Sequence, residues 1–125
     1  MAINRVSSLV QGITFVTLRT NDLNAAHAFY VDKLGFPVLE EKAGDFFQVS
    51  IGGVPFCIDL SKEREPFQPS QIGITVADLN PLTEALMACG FSPAVGERPD
   101  GGEKWAIVKD PDGHELIFLK SSRIR

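Results

Sequence analysis

The chain contains two similar stretches in the same order, and this internal repeat limits the folds that it can adopt. Residues 15–36 read FVTLRTNDLNAAHAFYVDKLGF and residues 72–91 read IGITVADLNPLTEALMACGF, so each has β-branched residues, then Asp-Leu-Asn, then Gly-Phe. The residues that follow also correspond, because 44–62 align without gaps on 102–120 as apolar strand, turn and apolar strand. The repeat predicts two copies of one supersecondary unit.

Each unit is predicted to fold as one strand, one helix and three further strands. Alternating β-branched residues predict the first strands at 14–18 and 72–76. Each helix is predicted to start at an Asp that caps its first turn and to end at a Gly, which adopts the left-handed cap conformation easily. These caps are Asp22 and Gly35 in the first unit, and Asp78 and Gly90 in the second. The later strands are predicted at 37–41, 46–51 and 55–60, and at 92–95, 105–109 and 115–120.

The predicted fold class is α+β, with two tandem βαβββ modules at about residues 10–60 and 71–120 inside one domain over 1–125. The charged, proline-bearing run SKEREPFQPS at 61–70 is predicted to link them. In each module one apolar sheet face is predicted to pack against the helix, while the opposite face is mixed and partly polar. Because sheets this small are not stable alone, that mixed face is either a wet surface or the wall of a cavity.

Composition argues against several classes of partner. Twelve Lys and Arg against sixteen Asp and Glu give a formal net charge of −4, which disfavours binding to nucleic acid or to an anionic membrane. No apolar run approaches the roughly 18 residues that cross a bilayer, and the apolar part of the first residues is too short for a secretory signal. Cys57 and Cys89 are too few for a disulfide framework or a zinc site and are predicted to be buried free thiols. We therefore expect a cytoplasmic protein.

Four motifs carry a resemblance to a known family. They are TLRTNDL at 17–23, AFY with LGF inside 28–36, VADL at 76–79 and DPDG at 110–113. The resemblance that they carry spans nearly the whole chain, from about residue 13 to 120. It is a resemblance to the vicinal oxygen chelate superfamily, which includes glyoxalase I, extradiol dioxygenases, fosfomycin-resistance transferases and bleomycin-resistance proteins. The resemblance implies a mixed sheet that curls around a cleft, and usually a homodimer with clefts shared between chains. It does not define one activity, because this fold carries several chemistries and some non-enzymes.

The resemblance also implies four metal-ligand positions, on the first and last strand of each module. Members that use a metal place His, Gln or Glu there, to hold a divalent ion that binds two neighbouring substrate oxygens. Here the first-strand positions are Phe15 and Gln71, and the last-strand positions are Asp59 and Ile117. Phe15 and Ile117 have no donor atom, whereas an iron, nickel or zinc site needs three or more N, O or S donors. The set therefore predicts no resident metal.

A rearranged metal site stays open as an alternative. Glu115 shares a strand face with the fourth position, so Asp59, Gln71 and Glu115 together form a weak candidate site for Zn, Ni, Mn or Fe. The two histidines are not placed to join it. His27 lies in the middle of the first helix, and His114 follows the DPDG turn, where it is predicted to be partly exposed.

Asp59 and its neighbour Cys57 are the other chemically notable pair. A carboxylate that faces inward from an apolar strand carries a desolvation cost unless it is paired or solvated. Asp59 is therefore predicted to bind something, to lie in a wet cleft, or to pair with a base such as Arg19. Cys57 is a poor candidate nucleophile, because a nearby carboxylate raises the pKa of a thiol.

The face away from the helices is predicted to line a small-molecule cleft, because aromatic walls with a few polar groups are typical of ligand pockets. The predicted lining residues are Phe15, Thr17, Gln48, Asp59, Gln71, Trp105, Glu115 and Ile117. The favoured hypothesis is a metal-independent binding protein of the bleomycin-resistance type, with Asp59 and Gln71 as polar anchors for a neutral or cationic ligand. Two alternatives stay open: a divalent-metal lyase, isomerase or dioxygenase-like enzyme, and a structural module with a filled cleft.

Overall fold

Two four-stranded mixed sheets form the framework of the protein, in a computed structural model that describes residues 5–61 and 67–120. Sheet A has the order β1-β4-β3-β2 and sheet B the order β5-β8-β7-β6. The strands of sheet A are β1 (Val16–Thr20), β2 (Val38–Lys42), β3 (Phe46–Ile51) and β4 (Val54–Leu60). Those of sheet B are β5 (Gln71–Thr75), β6 (Ala94–Glu97), β7 (Lys104–Lys109) and β8 (Glu115–Leu119). In each sheet the first strand pairs parallel with the last strand of its unit, as expected for a repeated βαβββ unit.

The two predicted helices start at the predicted capping aspartates and are followed by the predicted glycines. They are α2 (Leu23–His27), which continues as a π-helix (Ala28–Lys33), and α3 (Leu79–Ala88), and a further helix, α1 (Val6–Leu9), precedes β1. Asp22 and Asp78 each accept a hydrogen bond from a backbone amide of the first turn, at 3.1 and 3.2 Å. Gly35 and Gly90 follow the helices with φ of 75° and 92°, a conformation that costs glycine little. The short helix α1 was not predicted.

The α+β fold of two βαβββ modules is thus confirmed, with strand limits that differ by one or two residues. β1 continues to Thr20 because the Thr20 carbonyl accepts a hydrogen bond from the Ser61 amide at 2.8 Å. β6 continues to Glu97, which pairs with Lys104 of β7. The middle of the predicted linker, residues 62–66, lies outside the described residues, and the module limits stay a prediction.

One apolar core joins the two modules on the helix side of both sheets. Its buried members are Leu18, Ala26, Phe29, Tyr30, Phe47, Val49, Ile51, Phe56, Ile58, Leu86, Val108, Leu116 and Phe118. The rings of Phe29 and Phe91, one from each module, meet edge to face with their centroids 5.3 Å apart. The predicted alternation is confirmed along β3 and in the middle of β4, where the residues that point to the helices are buried and their neighbours are half-buried.

The DPDG turn of the second module is hydrogen-bonded to the helix of the first. The hydroxyl of Tyr30, which has no exposed surface, donates to Oδ2 of Asp110 at 2.6 Å. Oδ1 of Asp110 accepts from the amides of Asp112 and His114, both at 2.9 Å. Burial and the neighbouring Asp110 raise the pKa of the Tyr30 hydroxyl, so this hydroxyl stays a donor. The two family motifs FY and DPDG are therefore parts of one contact between the modules.

The same turn also holds the end of β1. Asp112 accepts from the hydroxyl of Thr20 at 2.6 Å and from the amide of Asn21 at 2.8 Å. Because Thr20 is fully buried, this contact anchors the start of the first helix to the second module.

His114 is buried, with 2% of its surface exposed, so the prediction of a partly exposed residue is wrong. Its Nδ1 accepts from the Ser70 amide at 2.8 Å, so the ring carries its proton on Nε2, which lies 2.8 Å from the Arg19 carbonyl. The ring of Phe67 stacks on the imidazole at 5.6 Å between centroids. His114 is enclosed because it joins the chain before β5 to the edge of β1, contacts that the sequence pattern does not reveal.

The cysteines also differ from the prediction of two buried thiols. Cys57 is half-buried, because it lies on the sheet face away from the helices, and Cys89 is exposed at the end of α3. The Cys89 thiol donates to the Lys33 carbonyl at 3.1 Å. Within residues 5–61 and 67–120, no helix combines the length and apolarity that crossing a bilayer requires.

Candidate functional site

The sheet faces that point away from the helices, called here the open faces, carry the predicted cleft residues. On the open face of sheet A the strand registers place side chains in two rows across the strands. One row is Thr17, Cys57, Gln48 and Glu40, and the next is Arg19, Asp59, Phe46 and Lys42. Of the predicted residues, Thr17, Gln48 and Asp59 therefore share this face, and Phe15 lies just before β1 on the same side by alternation.

Asp59 is held by its neighbour on the same strand face. Its Oδ1 accepts a hydrogen bond from the Cys57 thiol at 3.0 Å. Burial and this hydrogen bond raise the pKa of the Cys57 thiol to about 12, and the charge of Asp59 acts in the same direction. The thiol is therefore a hydrogen-bond donor at neutral pH rather than a nucleophile, as the sequence predicts.

Alkylation of Cys57 should accordingly be slow. In a Cys89→Ser background, we expect iodoacetamide at pH 8 to react with Cys57 about fiftyfold more slowly than with free cysteine. The raised pKa makes the Cys57 thiolate more nucleophilic, but the loss of thiolate at pH 8 has the larger effect on the rate. The rate should still rise with pH beyond pH 10, and Asp59→Asn should increase it. Mass spectrometry of timed samples measures the rate, with urea-unfolded protein as the control. A native rate equal to that of free cysteine would contradict the raised pKa.

The open face of sheet B carries the other half of the predicted residues. Gln71, Glu115 and Lys109 form one row across the strands, and Ile117 lies in the next, beside Gly73. The Gln71 amide donates to Oε1 of Glu115 at 2.8 Å. A predicted polar anchor and a candidate metal ligand are therefore already bonded to each other.

Trp105 lies against the backbone of Gly96 on the neighbouring strand β6. A Cβ built on Gly96 would lie 2.3 Å from Nε1, 2.4 Å from Cε2 and 2.6 Å from Cζ2 of the indole. These distances are far below van der Waals contact, so only glycine at this position leaves room for the indole in its present place. The side chain of Trp105 is thus positioned by the absence of a side chain opposite it.

Two surface cavities include residues of the open face of sheet B. A cavity of about 430 Å³ borders Trp105, between the first turns of α3 and strand β6. Another, of about 530 Å³, is lined by Glu115 and Ile107 together with residues around Phe91. Both are large enough for small organic molecules, and neither is lined by residues of sheet A.

The two open faces belong to different sheets, and the contacts described above between the modules lie on the helix side or at the strand ends. Phe15 is 54% exposed, and Thr17 and Gln71 are also exposed. The eight predicted residues are therefore gathered as two half-sites, with Phe15, Thr17, Gln48 and Asp59 on sheet A and Gln71, Trp105, Glu115 and Ile117 on sheet B. Whether they bind a ligand stays a prediction.

Sequence reasoning missed some residues of these half-sites. Lys42 lies in the same row as Asp59 and Phe46 on sheet A, and Gly96 supports Trp105 on sheet B. Arg19, named above only as a base that could pair with Asp59, lies opposite Asp59 in the register of β1 and β4. Arg19 has the same alternation as Thr17, so the strand pattern carried that signal. The position of Gly96 opposite Trp105 follows from the register of β6 and β7, which the sequence left undefined.

The donor set does not fit a resident metal ion. Phe15 and Ile117 offer no N, O or S side-chain atom, and the Gln71 amide is bonded to Glu115. In the described part of the chain, no three His, Cys, Asp or Glu residues are grouped closely enough to hold a metal ion. Asp59 lies on sheet A, whereas Gln71 and Glu115 lie on sheet B.

Comparison with known proteins places this geometry in a family. Residues 12–118 match the sequence model of the Glyoxalase/Bleomycin resistance protein/Dioxygenase superfamily. The chain belongs to this superfamily, which confirms the resemblance to vicinal oxygen chelate proteins. Its sequence is 26% identical over 106 residues to an uncharacterized protein of Mycolicibacterium smegmatis, covering 85% of this chain and 90% of that protein.

Solved structures share the fold at low sequence identity. A glyoxalase/bleomycin resistance protein/dioxygenase from Nocardioides has a TM-score of 0.75 and 18% identity, covering 99% of this chain and 89% of its own. Lactoylglutathione lyase from Agrobacterium tumefaciens has a TM-score of 0.74 and 16% identity, covering 90% and 95%. TioX from Micromonospora sp. ML1 has a TM-score of 0.71 and 19% identity, covering 88% and 98%. At these identities the likeness supports a common fold and no particular activity.

Proposed function

We propose that this protein is a metal-independent small-molecule-binding protein of the bleomycin-resistance type, which sequesters a ligand at its open faces. The observation that carries the proposal is the replacement of donors by Phe15 and Ile117 at two of the four expected ligand positions. An aromatic and an aliphatic side chain there add apolar contact area to a ligand instead of coordinating an ion. Gln71, bonded to Glu115, is a hydrogen-bonding group rather than a free ligand.

The chemistry of the half-sites supports a neutral or cationic amphipathic ligand. Trp105 offers a fixed aromatic surface, and Asp59 and Glu115 offer carboxylates. An aromatic face together with carboxylates attracts a cation, and the chain's net charge of −4 adds to this attraction. Binding then needs no covalent step: the ligand is enclosed between apolar walls and oriented by Asp59 and Gln71.

A homodimer in the cytoplasm completes the proposal. Each chain presents two half-sites with exposed residues, Phe15 and Thr17 on sheet A and Gln71 on sheet B. A second copy that apposes its sheet B to sheet A of the first would enclose both half-sites and bury these side chains. Association by two-fold symmetry forms two such clefts at once.

Metal analysis tests the proposal first. The purified protein, incubated with nickel, zinc, manganese or ferrous iron and then desalted, is expected to retain metal far below one ion per chain, because the donor set is too small. Inductively coupled plasma mass spectrometry measures the content. Near-stoichiometric metal that survives desalting, and that is lost in Glu115→Gln, would overturn the metal-independent proposal.

Ligand binding is tested with the single Trp of the chain. Titration with planar cationic, planar neutral and planar anionic compounds is expected to change Trp105 emission and raise the melting temperature for the first two classes. Trp105→Phe controls for the optical signal while the thermal shift still reports binding. Asp59→Asn should weaken the binding of the cationic compounds more than the binding of the neutral compounds. Equal responses to all three charge classes in wild type and Asp59→Asn would contradict the assigned role of Asp59.

The second candidate is a divalent-metal lyase, isomerase or dioxygenase-like enzyme. The observation that favours it is the contact between Gln71 and Glu115, which puts two oxygen-bearing side chains side by side. The lactoylglutathione lyase from Agrobacterium tumefaciens shares this fold, which supports a lyase as the alternative class of function. Asp59 of a second copy would have to supply the third ligand. The metal analysis above separates the two candidates.

A further inference from the structure

Three adjoining cavities lie beside α3, between this helix and the edge strand β6. Their volumes are about 330, 430 and 440 Å³. Neighbouring cavities share lining residues, so the three form one groove, named here the α3–β6 groove. The shared residues are Leu79, Asn80 and Lys104 at one boundary, and Thr83 and Val95 at the other.

The groove is open because two large side chains of the first module have small counterparts in the second. His27 and Thr83 each follow the capping aspartate of their helix by five residues. Phe47 and Ala106 hold the same place in the third strand of their modules, as the strand registers show. The rings of His27 and Phe47 meet edge to face with their centroids 5.2 Å apart, which fills the space over sheet A. Thr83 and Ala106 are too small to fill the corresponding space over sheet B.

The edge strands of the two modules differ in the same way. Glu41 of β2 pairs with Phe47, and its carboxylate lies 3.7 Å from Nε2 of His27, so helix and edge strand are in contact in the first module. The corresponding residue of β6 is Val95, which pairs with Ala106 and is 66% exposed. An apolar side chain therefore lines the groove where the first module has a contact between helix and strand.

One end of the groove is apolar. Its lining in the cavity of about 440 Å³ includes Met87, Phe91, Pro93 and Val95, and none of the described residues that line this cavity is charged. Covering these side chains removes apolar surface from water, which favours the binding of an apolar group. α3 has ten residues and is about 15 Å long. A straight chain of several carbons can therefore lie along it.

The other end of the groove carries two exposed lysines, Lys104 and Lys120, which line the cavity of about 330 Å³. Within the part of the chain that the structure describes, neither lysine forms an ion pair, although Glu97 lies opposite Lys104 in the register of β6 and β7. Asp78 also lines this cavity, but its carboxylate caps α3 by accepting from the Asn80 amide at 3.2 Å. Two ammonium groups are therefore available to an anion.

The backbone amides of α3 contribute little to this charged end. The Asn80 amide is already bonded to Asp78, and Pro81 has no N–H to donate. The two lysines, and not the start of the helix, therefore determine which ligand charge the groove prefers.

We propose that the α3–β6 groove binds a straight-chain carboxylate, with its carboxylate at the two lysines and its carbon chain along the apolar end. This site goes beyond the proposed function, because it lies beside α3 and takes an anion, whereas the open faces suit a neutral or cationic ligand. Trp105 lines both the groove and the half-site of sheet B. A method that reports on individual residues is therefore needed to separate the two sites.

Two-dimensional amide NMR of the full chain locates and measures the binding. Titration with octanoate, below the concentration at which it aggregates, is expected to move the amide signals of Thr83, Val95 and Lys104. The signals of Thr17 and Gln48 on the open face of sheet A should stay in place. Octanoate should bind at least about fivefold more tightly than octanol, because only octanoate places a negative charge at the lysines. Octylamine should bind most weakly.

Two variants test the lysines and the groove separately. Lys104→Gln/Lys120→Gln is expected to weaken octanoate binding about five- to tenfold and to change octanol binding by less than about twofold. The control Arg5→Gln/Lys42→Gln removes the same charge from exposed positions in the first module, and should change octanoate binding by less than about twofold. Thr83→Phe occupies the groove and should weaken octanoate and octanol binding alike by about tenfold or more, because the carbon chain is excluded. Thr83→Val should bind both as wild type does.

The opposite results overturn the proposal. Signals that move on the open faces instead of in the groove remove this site and leave the proposed function standing. Equal binding of octanoate and octanol, or a preference for octylamine, means that the lysines do not select an anion. An equal loss in the lysine variant and in its control means a general attraction to positive charge. If Thr83→Phe fails to fold, the lysine variant still decides, because both of its positions are exposed.

Discussion

Asp110→Ala is expected to lower the free energy of unfolding by about 3–5 kcal/mol, and the melting temperature by roughly 10–15 °C. The carboxylate of Asp110 is 7% exposed and accepts from the Tyr30 hydroxyl and from two backbone amides. Its removal leaves these donors without a partner in a place with little water, and each buried unpaired donor costs about 1–3 kcal/mol. Urea unfolding at one protein concentration, followed by circular dichroism, measures the loss.

A double-mutant cycle measures how much of the Asp110 contribution to stability comes from its hydrogen bond with Tyr30. Tyr30→Phe alone is expected to cost about 1.5–3 kcal/mol, the range for a hydrogen bond to a charged group. Because Tyr30 and Asp110 share that bond, the double variant should cost less than the two single losses together. The control is Asp78→Ala, which removes an exposed helix cap and should cost about 1 kcal/mol. An Asp110→Ala loss no larger than this control would show that the turn does not hold the modules together.

The pH dependence of stability offers a second readout of the same contact. The pKa of the Tyr30 hydroxyl is raised in the folded state, so its stabilising contribution is complete below the unfolded pKa of about 10 and is lost as pH rises above it. Tyr30 is the only Tyr in the chain. Tyrosinate absorbance at 295 nm should therefore appear together with unfolding, and not before it.

Gly96→Ala is expected to cost about 1–3 kcal/mol and to change the fluorescence of Trp105. The new Cβ would lie within 2.6 Å of three indole atoms, so the indole has to leave its place on β6. The emission maximum and acrylamide quenching of the single Trp report this displacement. Ligands that stack on Trp105 should bind more weakly to the variant.

Gly73→Ala is the matched control on the same open face. Its new Cβ would meet only Leu119 Cδ1, at 3.9 Å, which is ordinary contact. The replacement should be neutral or stabilising by up to about 1 kcal/mol, because alanine restricts the unfolded chain. If both substitutions had the same effect on stability and on Trp105 emission, the contact of the indole with Gly96 would not position Trp105.

The local elements could be predicted because their signals are local. Asp22 and Asp78 cap helices through amides two or three residues away, and Gly35 and Gly90 end them through their own φ angles. Alternation with period two assigned each strand residue to one of two faces without knowledge of its neighbours. The predicted half-site residues therefore lie on the open faces.

The contacts between the modules depended on residues far apart in the sequence. Tyr30 and Asp110 are separated by 80 positions, and nothing in either motif states that they meet. For the same reason the sequence pattern predicted a partly exposed His114, whereas Ser70 at the end of the linker and Arg19 of β1 enclose its ring. The contact of the Trp105 indole with Gly96 likewise depended on the register between β6 and β7.

The amino-acid sequence by itself determined the repeated βαβββ units, their capped helices, the faces of their strands and the donor-poor set of Phe15, Asp59, Gln71 and Ile117. The tertiary structure alone decided that these four residues fall on two exposed half-sites, that Gln71 is bonded to Glu115, and that the DPDG turn joins the modules. Periodicity and capping act over a few residues, whereas packing of one unit on the other depends on side-chain distances that no local pattern encodes.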